Sequence, residues 1–283
     1  MNAHPHSVQL ATEPDAPALP EAPGFAQHLM QVAKALVPLF EAGRSIDAAA
    51  LRTAMEQAFG ASDTSGSWIW KDAYEAAEVA QILMLSRYGA LMQRQVSAPR
   101  AFLTMIERLA GLAPSHTRRS EDSVRLQQFS TPLPLAAIVA QAAGFRDDDL
   151  VLEPSAGTGL LAIFAKIAGA RLALNELAET RRALLGHLFP GAVVSDHDAA
   201  SIDDRLDRSI TPLVIVMNPP FKMGRDIKHI RHAATLLQPG GRLVSLCAAG
   251  PRQRAAFPSM IELPPGAFKS EGTRVSAGIV VIE

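Results

Sequence analysis

Residues 218–221 read Asn-Pro-Pro-Phe and follow the apolar run Val214-Ile215-Val216-Met217. An asparagine side chain offers a carbonyl oxygen. Proline holds φ at about −65°, so the direction of a carbonyl beside it is built into the chain. Two oxygens aimed in this way can accept both hydrogens of an aromatic amine. Such an amine is a poor nucleophile because its lone pair is delocalised into the ring. Accepting its hydrogens favours a pyramidal nitrogen and stabilises the positive charge that develops as the nitrogen attacks, which is preorganised electrostatic stabilisation. A sulfonium methyl is an electrophile suited to this attack, with no nucleophilic side chain and no metal required. Asn218 and the Pro219 carbonyl are the predicted acceptors, and Pro220 stiffens the turn. Phe221 is expected to offer a flat face to an extruded base, a contact worth about 1–3 kcal/mol. The plainer alternative is a proline pair that stops a strand over a buried phenylalanine.

A second group of residues points to the ligand. Glu153-Pro154-Ser155-Ala156-Gly157-Thr158-Gly159 follows an apolar strand and leads into a helix. Glycines at 157 and 159 permit a sharp turn and close approach of the backbone to a ligand. The next strand, Leu172-Ala173-Leu174-Asn175-Glu176, ends on an acid 19 positions after Gly157. That is near the spacing of about 20 at which an acid meets ribose hydroxyls in β-α-β folds. The third glycine of a pyrophosphate loop is missing, and no lysine marks a phosphate loop, so a nucleoside without phosphates fits best. A solvent-facing strand end is the alternative for Glu176. In Val193-Val194-Ser195-Asp196-His197-Asp198-Ala199, Asp198 is the predicted partner of an adenine amino group, with the Ala199 amide beside it. Asp196 competes for that role, and His197 reads as a surface or turn residue.

These groups must be positioned by regular elements. From about 150 onward, short apolar strands alternate with helical segments, which implies parallel β-α-β units and a doubly wound sheet. Residues 24–112 read as a small all-α bundle at the front, with Ser45 or Asp47 capping its second helix and Gly60 closing it. Trp68 and Trp70 are expected in the core. Residues 1–23 contain five prolines and few apolar anchors, so they read as a disordered tail, and 113–127 as a linker. The 283 residues are 48% hydrophobic with a formal charge of −1, which excludes a global basic field for nucleic acid. One cysteine, Cys247, excludes an intrachain disulfide and fits a reducing compartment. No apolar run reaches membrane-spanning length. A cytoplasmic protein without membrane association is the expectation.

Residues 128–283 resemble the amino-methyltransferase branch of the S-adenosylmethionine (SAM)-dependent methyltransferases. Residues 153–159 resemble its cofactor loop, Asn175-Glu176 its ribose-binding acid, 197–199 its adenine-contacting segment and 218–221 its catalytic tetrapeptide. Gln128-Phe129-Ser130-Thr131-Pro132 resembles the stretch ahead of the loop in the γ-type motif order, where Thr131 and Pro132 lie against the methionine end of SAM. The last residues, 268–283, resemble the closing hairpin of that fold. The resemblance implies a Rossmann-like sheet with helices on both faces, SAM as cofactor, and methylation of adenine N6 in DNA. A methylase of RNA bases (guanine N2 or adenine N6) and an inactive methylase-like SAM-binding module remain the alternatives. Residues 68–85 are similar to the helical segment ahead of the methylase region in strawberry-notch-type methyltransferase–helicase polypeptides of plasmids and phages. That likeness implies further domains or a partner subunit.

Lys222, Arg225, Lys228 and Arg231 follow the tetrapeptide and are the predicted phosphate contacts, with 116–119 and 251–254 as possible additions. With no net positive charge and no recognition domain after the closing strand, DNA binding by this chain alone is expected to be weak.

Overall fold

In the first third of the chain, apolar residues at helical spacing form four helices: α1 (Phe25–Glu41), α2 (Ala48–Phe59), α3 (Trp70–Arg94) and α4 (Pro99–Gly111). Local chemistry sets their ends. Asp47, one of the two candidate caps, accepts a hydrogen bond from the Ala50 N–H at 2.8 Å, and Gly60 closes α2 in the left-handed conformation. Asp72 reaches back to the Ile69 N–H at the start of α3. Pro99 stands in the first turn of α4, where its missing N–H leaves no gap. The computed structural model describes residues 24–115 and 129–283. The expected tail at 1–23, most of the expected linker, and residues 116–119 lie outside the described residues.

Helix α3 is buried on every side from Ala73 to Ile82, so it needs neighbours all round. It packs against α1 on one flank. Trp68 is 1% exposed at its entrance, and its indole N–H donates to the Ala61 carbonyl at 2.8 Å. The core of these helices is continuous with one face of the sheet that follows.

That sheet is built from β1 (Leu150–Glu153), β2 (Arg171–Asn175), β3 (Val193–Ser195), β4 (Val214–Met217), β5 (Arg242–Ala248), β6 (Ile261–Glu262) and β7 (Ala277–Ile282). The strand order is β3-β2-β1-β4-β5-β7-β6. Strands β1 to β5 run parallel, while β7 runs against β5 and pairs with β6 in a closing hairpin. Helices α5 (Leu133–Ala143), α6 (Ala162–Ile167), α7 (Glu179–Leu188), α8 (Ile202–Arg205), α9 (Arg225–Ala234) and α10 (Pro251–Ala256) connect and cover it. Helix α5 is absent from the strand–helix alternation read in the sequence, because its residues are apolar nearly all round and show no stripe.

Strand residues alternate between two cores. Val151, Leu172, Leu174, Val214, Val216, Val244 and Leu246 join the core shared with the front helices. Leu152, Ala173, Ile215, Met217, Leu243 and Cys247 face the other side, against Ile202 of α8 and Ile230 and Ala233 of α9. Helices therefore cover both faces, the architecture expected from the alternation. The order reverses between β1 and β4, and at such a switch point the carboxyl ends of parallel strands open a crevice. The glycine turn and the Asn-Pro-Pro-Phe segment both begin at that edge.

Candidate active site

The glycine turn leaves β1 at Glu153. Its backbone is fixed by the Ala156 N–H on the Asn175 carbonyl (2.9 Å) and the Gly159 N–H on the Ala156 carbonyl (2.8 Å). Both glycines have positive φ, +56° at Gly157 and +96° at Gly159, yet they do different things. A Cβ on Gly159 would stand 2.4 Å from Cε2 of Phe189, so that glycine serves close packing. A Cβ on Gly157 would meet nothing within 4 Å, so that residue presents bare backbone to open space.

Glu176, 19 positions after Gly157, comes to this turn. Its Oε2 accepts the Gly157 N–H at 2.8 Å and its Oε1 the Ala178 N–H at 2.9 Å. Each carboxylate oxygen has capacity for a second donor. Glu153, directly before the turn, is 2% exposed, and its Oε2 has no hydrogen-bond partner among the described residues. Burial pushes the Glu153 carboxyl well above the usual range, and the charge of Glu176 adds to the push, against a hydrogen bond from the Ala162 amide.

Asn175 takes a part the sequence does not show. Its Nδ2 donates to the carbonyls of Pro154 (2.9 Å) and His197 (2.8 Å). Its Oδ1 accepts from the Ser195 hydroxyl (2.9 Å) and the His197 N–H (2.8 Å). These four bonds use the whole side-chain amide. Asn175 thereby clamps the ends of β1, β2 and β3 together, and its side chain is committed to the protein. Beyond β3, the exposed Asp198 caps a short turn, with Oδ1 accepting the Ala200 N–H at 2.8 Å; Ala199 is 8% exposed beneath it. The competitor Asp196 is 61% exposed at its side chain, 4.0 Å from Nδ1 of His197.

At the end of β4, Asn218 is half-buried. Its Nδ2 donates to the Phe129 carbonyl and to Oγ1 of Thr131, both at 3.1 Å. Residues 87 and 89 positions away thus fix the rotation of this amide. Its Oδ1 accepts no hydrogen bond among the described residues. Thr131 and Pro132 are buried beside it, so the segment ahead of the loop and the tetrapeptide form one unit.

Phe221 departs from expectation. It is 4% exposed, with its ring 5.7 Å from Phe268 in an edge-to-face arrangement and 6.3 Å from Phe129. Three phenylalanines from distant parts of the chain pack together, so this ring offers no open face here. The exposed apolar side chain next to the tetrapeptide is Met223, 82% exposed and at a φ of +56°. Lys222 is half-buried, while Arg225, Lys228 and Arg231 are exposed; the last three recur every third residue along α9. None of the four pairs with an acid among the described residues. In the 251–254 segment, Arg254 is committed to Glu262 at 2.7 Å.

Sequence reasoning missed Glu75 and Glu78 on α3 and Arg181 on α7. Glu78 accepts the Thr158 hydroxyl at 2.7 Å, and Glu75 accepts Nε of Arg181 at 2.8 Å. The signal was two acids three apart within an otherwise apolar helical run.

No family model matches the chain, and no curated protein matches it. Solved structures do show similarity. A methyltransferase subunit of a type I restriction-modification system from Streptococcus thermophilus has 13% identity over 91% of this chain and 76% of that one, with a TM-score of 0.47. A putative RNA methyltransferase from Pyrococcus horikoshii has 19% identity over 63% of this chain and 96% of that one, also at 0.47. TrmN from Thermus thermophilus has 19% identity over 66% and 68% of the two chains, at 0.44.

Proposed function

We propose that this chain transfers a methyl group from SAM to an exocyclic amine of a nucleobase, adenine N6 in DNA. The observation that carries the reading is the held amide of Asn218: its nitrogen is occupied by Phe129 and Thr131, which leaves its oxygen as an acceptor at the crevice edge. The residues at that edge fit a nucleoside cofactor. Glu176 keeps lone pairs for ribose hydroxyls, Gly157 offers an open backbone, and Asp198 and the Ala199 amide would read the adenine edge. Thr131 and Pro132 would flank the methionine end. Glu153 adds a buried carboxyl oxygen without a protein partner.

SAM supplies an electrophilic methyl group on a sulfonium and leaves as a neutral thioether. Asn218 Oδ1 and the Pro219 carbonyl accept the two amino hydrogens of the target base and localise the nitrogen lone pair. As the N–CH3 bond forms and the S–CH3 bond breaks, the same oxygens stabilise positive charge on nitrogen. The surplus proton then leaves to solvent. No side chain changes its covalent bonding. Buried among Phe129 and Phe268, Phe221 braces the tetrapeptide, and a base would stack on it only after a local rearrangement.

The choice of DNA rests on the motif order, with the 129–132 segment ahead of the glycine turn. The likeness of residues 68–85 to the front of methyltransferase–helicase polypeptides supports a role as the methylating part of a larger assembly. Methyl transfer from labelled SAM to unmethylated plasmid, ribosomal RNA and total protein tests the reading. N6-methyladenine in the plasmid supports it. Label in RNA alone moves the substrate to an RNA base, and SAM binding without transfer reduces the chain to a binding module.

A further inference from the structure

The glycine turn is held from a helix that lies outside the β-α-β units. Thr158, between the two glycines, is 4% exposed and gives its hydroxyl to Glu78 of α3 across 80 positions. One turn earlier on α3, Glu75 Oε1 receives Nε and Nη2 of Arg181 at 2.8 and 2.5 Å and Nζ of Lys71 at 3.2 Å. Arg181 sits in the first turn of α7, close behind Ala178, whose amide holds Glu176. The Glu75 carboxylate is the main reason that Arg181 keeps its proton more tightly than usual, and the charges of Glu176 and Glu78 add to it against burial. Farther along α3, Ser86 accepts from Lys166 of α6 at 3.0 Å, and Gly89 lies against Ile167.

We propose that α3 forms a wall of the cofactor crevice, with Glu78 as a positioning residue that fixes the glycine turn through Thr158 and Glu75–Arg181 holding the start of α7 beneath Glu176. This deepens the function proposed above and rests on SAM as the ligand. A turn with two glycines at positive φ has many conformations open to it when untethered. A ligand that binds only one of them loses apparent affinity in proportion to the fraction of chains in that form. The Glu78–Thr158 bond raises that fraction before any ligand arrives. The N-terminal helices thereby set SAM affinity without touching the reacting atoms.

The experiment is SAM and S-adenosylhomocysteine binding to the full chain by calorimetry, with melting temperatures in parallel. Thr158→Val removes one hydroxyl at nearly constant volume, and Glu78→Leu removes the acceptor. Each is expected to raise Kd for both ligands about 10-fold, and the double variant is expected to be no worse than either single one. Thr158→Ser, which keeps the hydroxyl, should bring Kd back toward wild type. In methyl transfer by Glu78→Leu, KM for SAM should rise while kcat at saturating SAM stays within a few fold. If Glu78→Leu does not fold, Thr158→Val decides alone. Wild-type Kd in folded Thr158→Val, or a change in melting temperature without a change in Kd, overturns the proposal while leaving the methyltransferase reading intact. Failure of the wild-type chain to bind either ligand overturns that reading itself.

Discussion

A single carboxamide carries most of the proposed chemistry, so its removal is the sharpest residue-level test. Asn218→Ala deletes one of the two proposed acceptors for the amine and should cost about 3 kcal/mol of transition-state stabilisation, a fall in kcat of order 100-fold. SAM affinity should stay within a few fold, because the proposed ribose and adenine partners are elsewhere; single-turnover kinetics and calorimetry read the two quantities separately. The glycines should separate in the same way. Gly159→Ala forces a Cβ to 2.4 Å from Phe189 in a backbone region that L residues avoid, and should cost about 1–3 kcal/mol of stability, read as a lower urea midpoint. Gly157→Ala meets no clash, so it should lose only the about 1–2 kcal/mol of an L residue held at positive φ, and it should weaken SAM binding. His229 supplies a pH dependence. It is 6% exposed on α9, and its Nδ1 is unpartnered among the described residues. Burial lowers its pKa to about 4; Asp198 opposes the shift, while Arg225, Lys228 and His232 reinforce it. The unfolded chain therefore takes up this proton at a higher pH than the folded one, and stability is lost as pH falls from about 6.5 toward 4. Urea unfolding at pH 7 and pH 5 should show that loss, and His229→Leu should flatten it.

At the scale of elements, α3 joins the front helices to the sheet. An acidic pair would make a poor interior stripe on a free helix, since burying an unpaired carboxylate is costly. Here Glu75 meets Arg181, whose charge offsets its burial, and Glu78 accepts the Thr158 hydroxyl. Despite burial, the positive charge of Arg181 holds the Glu75 carboxyl below its usual range. Close approach to α6 depends on Gly89, where an added Cβ would lie 2.4 Å from Cδ1 of Ile167. Gly89→Val should force the Ile167 side chain aside and destabilise the chain by about 1–3 kcal/mol, read as a lower urea midpoint. Because α3 backs the glycine turn, the same variant should weaken SAM binding.

The molecule as a whole carries a formal charge of −1, so its electrostatic reach toward nucleic acid is local. The exposed basic row of α9, with Lys222 before it, is the proposed phosphate patch. Four phosphate contacts correspond to a log–log salt slope of about −3.6, and an affinity loss of order 100-fold between about 50 and 200 mM salt. Arg225→Gln with Lys228→Gln should reduce that slope by about 2; fluorescence anisotropy with a duplex oligonucleotide measures it. Tight binding that salt does not weaken would contradict this picture. No helix among the described residues is long and apolar enough to cross a membrane.

Short-range features were legible in the amino-acid order. Short apolar runs between helical segments marked the strands, Gly60 and Asp47 marked the ends of α2, and Glu176, 19 positions on, meets Gly157. Each depends on backbone preferences or on one β-α-β unit, and such units close with one handedness. Side-chain partners farther along the chain were decided by the tertiary structure. The anchoring of Asn218 by Phe129 and Thr131, the burial of Phe221 against Phe268, and the reach of Glu78 to Thr158 all join segments that no local pattern relates. Periodicity states which face of an element is buried, and only the packed chain states what lies across from it.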